Sequence, residues 1–291
     1  AAAAAAAPPR GLDALPTALD VLRASPDRVY MTGSAALDEL LNGGLSCGAV
    51  TELVGRPSQG KTQVCLSCAV TAALDGRRVL YIDGVAGAGR AERIAQMMAE
   101  RGGASQQVDI LTAMGNVDLL AVHDVWAALD ALQSLLATPS VPYRLVILDS
   151  VNVLLQPLLQ YRGGGTNGQQ LIAEVANLLR AVAARHQLPV VVTNGVAGNL
   201  VGGEPQLGTT WQHCADARLY LRRVMNGEAR RSAAGDARFV DGDNFGLSQA
   251  PGSPTAGQPA NTFAVEMQVV KHPKLPVGSF SRVFIGPAGL V

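Results

Sequence analysis

Apolar residues in this chain fall into short unbroken runs, separated by stretches whose apolar positions recur at helical spacing. The runs Ala49–Val54, Val79–Asp83, Val108–Leu111, Leu145–Asp149 and Pro189–Thr193 read as strands. Leu145-Val146-Ile147-Leu148 shows no alternation with polar residues, which marks a central strand covered on both faces. Helical patterns cover Thr62–Leu74, Ala91–Glu100, His123–Leu136 and Leu171–Arg185. The third carries Val125, Trp126, Leu129, Leu132 and Leu136 at helical spacing, and the fourth is strongly amphipathic, with apolar positions 171, 172, 175, 178, 179 and 182. Ser34–Leu41 is a shorter helix: Ser34 caps it, Leu37, Leu40 and Leu41 share a face, and Gly43-Gly44 end it. Thr17–Ala24 forms another short helical pattern with Thr17 as N-cap.

This alternation predicts an α/β fold, a mostly parallel sheet flanked by helices on both faces. After it, Ala217–Leu221, Phe263–Val270 and Phe280–Ile285 read as strands of an antiparallel C-terminal extension. Between the first two, residues Gly227–Ala260 are rich in Gly, Ser, Pro and Ala without periodicity and read as a mobile insertion. Ala1–Ala7 is low complexity, and Pro8, Pro9 and Pro16 mark a linker. Residues 1–30 are thus expected to form a low-complexity segment and linker, and residues 31–291 the core. The sequence does not open on Met, as a fragment or processed form would not.

With 291 residues, 48% of them hydrophobic, the chain has room for one large α/β domain and a small appendage. Its formal net charge is zero, which counts against a strongly self-sufficient nucleic-acid binder but leaves room for a locally basic face. No apolar run approaches the roughly 18–20 residues that span a bilayer, so no membrane partner is expected. No secretory signal is visible. Cysteines stand at positions 47, 65, 68 and 214, and Cys65 and Cys68 lie one helical turn apart. A lone C-x-x-C with no second ligand pair points to core-facing thiols in a reducing compartment, not to zinc.

The chemistry concentrates at Gly55-Arg56-Pro57-Ser58-Gln59-Gly60-Lys61-Thr62, which fits the phosphate-cradling pattern G-x-x-x-x-G-K-[ST]. The chain has only three lysines, and Lys61 is one of them. The motif sits between a strand and a helix, the context it requires. Glycines let the backbone curl so that successive N–H groups face a β-phosphate, and the helix beginning near Lys61 adds its positive dipole end. Lys61 supplies charge for the β- and γ-phosphates, and the Thr62 hydroxyl is a ligand for Mg2+. The expected cofactors are ATP and Mg2+. Downstream, the buried strand ending at Asp149 delivers a carboxylate to the carboxyl edge of the sheet, beside the phosphate loop, where it is expected to hold Mg2+ with Thr62.

From Met31 to Leu290 the chain resembles the RecA/RadA recombinase superfamily in its eukaryotic, Rad fifty-one branch. Thr32-Gly33 with Leu37–Leu45, Val50–Gly55, Gly60–Leu66, Val191–Asn194 and Ala217–Arg222 carry the resemblance. The wording of the phosphate-loop helix and the segment Leu207-Gly208-Thr209-Thr210-Trp211 resemble the D-type DNA-repair paralogues within it. The resemblance implies a RecA-like P-loop NTPase core and a nucleotide site of Gly55, Arg56, Pro57, Ser58, Gln59, Gly60, Lys61, Thr62, Gln63, Arg93 and Asp149, with Arg93 packing on the adenine. It also implies two losses. The family's water-activating Glu position holds Val85, and its γ-phosphate-sensing Gln position holds Gly195. A valine cannot orient or deprotonate a water. Glu92 is the nearest carboxylate downstream of Val85 but falls in the following helix.

The family's two DNA loops would here be Gln156–Gln170, with Arg162 alone as a base, and Gly195–Gly208, with no Lys or Arg and one acid, Glu204. Arg222, Arg223, Arg230 and Arg231 offer either a basic patch or a solvated arginine-rich turn. Lys271-His272-Pro273 lies where the family places a segment that reaches a neighbour's nucleotide. The family's polymerisation pattern, F-x-x-A, has no counterpart in Pro8–Tyr30, which lacks Phe, and its small N-terminal domain is not matched. The resemblance therefore implies a nuclear, ATP-binding mediator subunit in homologous-recombination repair. Such a subunit hydrolyses ATP weakly, pairs with other recombinase paralogues and acts on single-stranded or branched DNA. Two alternatives stay open: an autonomous strand-exchange recombinase, and a P-loop small-molecule kinase or other NTPase.

Overall fold

A parallel strand covered on both faces must send successive side chains into two different cores, and these strands do so. The computed structural model describes residues 29–85, 87, 89–101, 109–160, 165–196, 206–224 and 262–290. Within them a nine-stranded sheet is built from β3 (Val50–Val54), β4 (Arg78–Asp83), β5 (Val117–Ala121), β6 (Tyr143–Asp149), β7 (Val190–Asn194), β8 (Ala217–Arg223), β9 (Phe263–Lys271), β10 (Phe280–Gly286) and β11 (Gly289–Leu290). A separate two-residue ribbon pairs β1 (Val29–Tyr30) with β2 (Leu45–Ser46) and brings the buried Tyr30 into the core.

The strand order is β11-β10-β9-β8-β3-β7-β6-β4-β5. Pairings from β8 through β3, β7, β6 and β4 to β5 are parallel, and those joining β8, β9, β10 and β11 are antiparallel. The expected parallel core with an antiparallel C-terminal extension is the observed architecture.

Val79, Tyr81, Leu145, Ile147 and Val191 face one core, shared with helices α1 (Ala35–Leu40), α2 (Lys61–Leu74) and α3 (Arg90–Arg101). Their neighbours Leu80, Ile82, Val146, Leu148, Val190 and Val192 face the other. That second core is closed by α5 (Val125–Ala137), α6 (Val151–Gln160), α7 (Gly165–His186) and α8 (Gly208–Gln212). The apolar set 172, 175, 179 and 182 of α7 is buried there. Cys65 and Cys68 on α2 are buried as expected.

Several expectations need correction. Residues 109–111 are not a strand: α4 (Ile110–Met114) begins there, because the Asp109 carboxylate accepts from the Leu111 N–H and caps a helix. The strand that follows α3 is β5, at the sheet edge, where half-exposed positions dilute the apolar signal. Trp126 on α5 is 61% exposed and Ala128 takes its place in the core. Ser34 occupies the N-cap position of α1 but makes no side-chain cap bond. The stretch Gln156–Gln170 is largely helical, since α6 runs to Gln160 through Pro157 and α7 starts at Gly165. The expected helix 17–24, most of the loop 195–208 and the insertion 227–260 lie outside the described residues.

Candidate functional site

The phosphate loop leaves the carboxyl end of β3 and closes on α2. Two of its glycines are dictated by space and backbone. A side chain at Gly55 would place its Cβ 2.7 Å from the Leu221 carbonyl oxygen on β8. Gly60 sits at φ +94°, a left-handed conformation that only glycine adopts without strain. Gly60 is the N-cap of α2, so Lys61 and Thr62 open the helix at its positive end. Pro57 and Ser58 are exposed at the crest of the loop, and Ser58 is also left-handed, at φ +63°.

Lys61 Nζ donates to the carbonyl oxygens of Gly55 at 2.6 Å and Arg56 at 2.8 Å. Burial lowers its pKa, and the nearby Asp149 opposes that. The loop is held to β8 through Gln59, whose Oε1 accepts the Arg223 N–H.

Strand β6 brings Asp149 to the same edge. Thr62 Oγ1 donates to Asp149 Oδ2 at 2.8 Å, so the two residues expected to share a metal are in contact across 87 positions of sequence. Both offer hard oxygen donors of the kind Mg2+ takes, so the residues fit that ion. Asp149 is nearly saturated: Tyr81 donates to Oδ2 at 2.7 Å, and Thr193 to Oδ1 at 2.5 Å. Burial, reinforced by Asp149, pushes the Tyr81 hydroxyl well above its usual pKa and keeps it a donor.

Two residues here were not anticipated. Arg90, the first residue of α3, contacts Asp83 (Nε to Oδ2, 3.1 Å) and Asp149 (Nη2 to Oδ2, 3.3 Å). Asp83 also accepts the backbone N–H groups of Val85 and Gly87. No spacing rule marks Arg90; the loop's path alone puts it there. Glu52 in β3 is fully buried and accepts from Asn194 Nδ2 (2.8 Å), Trp211 Nε1 (2.7 Å) and Arg218 Nε (2.6 Å). Glu52 did carry a signal, since an acid inside a buried apolar strand must find partners.

The remaining expected positions divide. Arg93 lies in a cleft of about 170 Å³ lined by Gln63, Phe263, Ile285 and Gly286. Its guanidinium donates to Gln63 Oε1 at 3.0 Å, Gln96 Oε1 at 2.8 Å and the Gly286 carbonyl at 3.0 Å. Val85 is 53% exposed, and Glu92 is exposed on α3. At Gly195 a Cβ would meet the Gln206 carboxamide at 2.3 Å, so Gln206 fills the space that a side chain at position 195 would take.

Arg222 and Arg223 do not form one patch, because successive strand residues point to opposite faces. Arg222 pairs with Glu266 at 3.6 Å, while Arg223 stacks over Phe263 at 4.4 Å on the phosphate-loop side. Lys271 turns inward, donating to the carbonyls of Gln212 at 3.2 Å and Ala215 at 2.5 Å. Arg162, Arg230 and Arg231 lie outside the described residues. No helix among the described residues is long and apolar enough to cross a membrane.

Comparison with known proteins agrees with this geometry. The family model described as Rad51 matches residues 28–239. The chain is 33% identical over 204 residues to the DNA repair protein RAD51 homolog 4 of Bos taurus, covering 66% of this chain and 61% of that protein. It is also 33% identical over 221 residues to the DNA repair and recombination protein RadB of Halobacterium salinarum, covering 73% of this chain and 89% of RadB. The match thus spans about three fifths of the length of the RAD51 homolog 4 proteins. A crystal structure of the RadB recombinase superposes with a TM-score of 0.64 at 21% identity, covering 90% of this chain and 98% of that one, and shares its RecA-like fold. The matched span takes in the phosphate loop, Asp149 and the whole parallel sheet, and on that ground the chain belongs to the Rad51 family.

Proposed function

We propose that this chain is an ATP-binding recombination paralogue, a nuclear mediator subunit that supports the main recombinase on single-stranded or branched DNA and turns ATP over weakly. One observation carries the reading. Lys61 at the helix start and Thr62 against Asp149 at 2.8 Å support the binding half of a nucleotide site, while the family's water-activating position holds Val85. Val85 offers no proton acceptor. Asp83, the nearest carboxylate along the strand, has both oxygens engaged by Arg90 and by backbone N–H groups.

In this reading the backbone N–H groups of residues 58–62 hold the β-phosphate and Lys61 leaves its loop carbonyls for the phosphate oxygens. Thr62 and Asp149 hold Mg2+, which supplies charge neutralisation for the phosphates. Gln63 and Arg93 frame the base cleft. Pairing with other paralogues is favoured by the sheet edge: β5 is a terminal strand, and Leu119 and Leu120 on it are 41% and 37% exposed. An apolar edge of that kind is a template for a partner's strand. DNA contact through Arg162, Arg222 and Arg223 belongs to the same proposal.

The test is steady-state ATP turnover of the purified chain, with and without single-stranded DNA, beside Lys61→Ala, together with bound-nucleotide measurement. Turnover barely above the variant, with nucleotide retained, is the expected result. Turnover raised many-fold by DNA would instead make the chain an autonomous recombinase, with another carboxylate such as Glu92 activating the water. Phosphorylation of a small acceptor without any DNA effect would make it a kinase.

A further inference from the structure

Position 195 carries no side chain, yet the space a side chain would take there is filled. A Cβ on Gly195 would lie 2.3 Å from the carboxamide oxygen of Gln206 and 2.7 Å from its carboxamide carbon. The φ of Gly195 is outside the left-handed region, so its backbone would accept other residues, and Gln206 is what requires glycine there. Gln206 is fixed in this place by two hydrogen bonds. Its own N–H donates to the Gly195 carbonyl at 3.1 Å, and its Oε1 accepts from Asn152 Nδ2 at 3.3 Å.

The place itself is informative. β7 lies between β3, which runs into the phosphate loop, and β6, which ends in Asp149. Asn194 is the register partner of Val54, so Gly195 follows β7 where Gly55 follows β3. Asn152 is the second residue of α6, just past Asp149. A carboxamide over Gly195 and against Asn152 therefore stands at the carboxyl edge of the sheet, between the phosphate loop and the Thr62–Asp149 pair's strand. A nucleotide whose β-phosphate lies in the loop presents its terminal phosphate along that edge. The carboxamide is also oriented. With Oε1 taken by Asn152, the amide nitrogen is left to donate, and among the described residues it has no acceptor. An anionic oxygen is a strong acceptor for such a group.

We propose that Gln206 contacts the nucleotide directly: its Nε2 donates to the terminal phosphate of a bound nucleoside triphosphate, from the space that a side chain at position 195 would occupy. The inference rests on the nucleotide-binding reading above. Glycine at 195 and glutamine at 206 then act together, the first clearing the volume and the second filling it with a donor. The contact lets the site tell a triphosphate from a diphosphate.

The experiment is calorimetric binding of ADP and of a non-hydrolysable ATP analogue, both with Mg2+, to the full chain, with a thermal melt of each variant. Wild type, Gln206→Ala, Gln206→Met, Gly195→Ala, the double variant Gly195→Ala/Gln206→Ala and Lys61→Ala are compared. Gln206→Ala and Gln206→Met are expected to bind the analogue about tenfold more weakly, the scale of one hydrogen bond to a charged group. Their affinity for ADP should change by less than about twofold. Gly195→Ala pushes the carboxamide aside and should cost the analogue a similar factor, but nothing further once Gln206 is already alanine.

Equal weakening of ADP and analogue by Gln206→Ala would overturn the proposal and leave Gln206 a structural brace between Gly195 and Asn152. So would unchanged affinity for both ligands, or costs of Gly195→Ala and Gln206→Ala that simply add. If wild type binds neither ligand better than Lys61→Ala does, the nucleotide-binding reading itself fails, and this proposal falls with it. That outcome is distinct from a wild type that binds both ligands without any dependence on Gln206. Should Gln206→Ala not melt cooperatively, Gln206→Met decides, since it keeps the side-chain volume and removes only the polar group.

Discussion

The Trp211 indole N–H donates to Glu52 Oε1 at 2.7 Å, joining residues 159 positions apart in a part of the fold sealed from water. The same carboxylate takes Arg218 at 2.6 Å and Asn194 at 2.8 Å. One acid on β3 therefore ties together the phosphate-loop strand, the end of β7 and the strand β8. Removing it strands the buried Arg218 charge, the costly way to break such a pair. Glu52→Gln is expected to destabilise the chain by about 3–5 kcal/mol. Trp211→Phe, which leaves the ion pair intact, should cost about 1–3 kcal/mol. Urea unfolding of both variants checks the order, and a larger loss for Trp211→Phe would contradict it.

Thiol chemistry should be almost silent in the folded chain. Burial pushes Cys68 and Cys214 up to about 12, and Cys65 well above its ordinary value. At neutral pH a thiol reagent is expected to modify Cys47, which is partly exposed, and to reach all four only after denaturation. Folding favours the neutral thiols. Their contribution is thus complete below the ordinary value near 9 and is lost as pH rises towards about 12. Unfolding free energy should hold level up to about pH 8 and fall above it. Replacing Cys68 and Cys214 with Ala should flatten that alkaline limb.

The edge strand gives a separable test of partner binding. Leu120 is 37% exposed on β5, so Leu120→Asp should change stability by no more than about 0.5 kcal/mol. If a partner paralogue adds a strand here, the same change should abolish co-purification with it. Intact co-purification would move the interface elsewhere.

The C-terminal strand is expected to depend on one arginine. Arg101 Nε donates to the Ala288 carbonyl at 2.6 Å, and its other nitrogens reach Thr71 and Ser67 on α2. Ser67 Oγ in turn accepts the Leu290 N–H at 2.9 Å. Arg101→Ala should cost about 1–3 kcal/mol. Hydrogen exchange should speed up at Leu290 and leave the amides of β6 unchanged. Uniform acceleration through the sheet would mean that Arg101 supports the whole core instead.

Much of this architecture was legible before any coordinates because it rests on local constraints. Unbroken runs such as Leu145–Leu148 mark strands buried on both faces, and the apolar stripe of α7 marks a packed helix. Exposure at an edge blurs that pattern. The pattern does not mark the edge strand β5, and the capped start of α4 reads as part of a strand. Trp126 shares the helical spacing of the apolar positions of its helix, yet it faces solvent.

By itself the sequence determined the phosphate loop, because that motif is contiguous: Gly60 must be glycine for its φ, and Lys61 and Thr62 follow it directly. It also determined that Asp149 would emerge at the strand end, since four apolar residues bury everything before it. Only the tertiary structure decided what surrounds Asp149. The contacts from Thr62, Tyr81, Arg90 and Thr193 come from four separate elements. The meeting of Glu52 with Trp211 is likewise set by the fold and not by spacing. Spacing fixes what is near along the chain. Electrostatics at a buried edge depends on what the fold brings near in space, and there a 3 Å contact outweighs any distance in sequence.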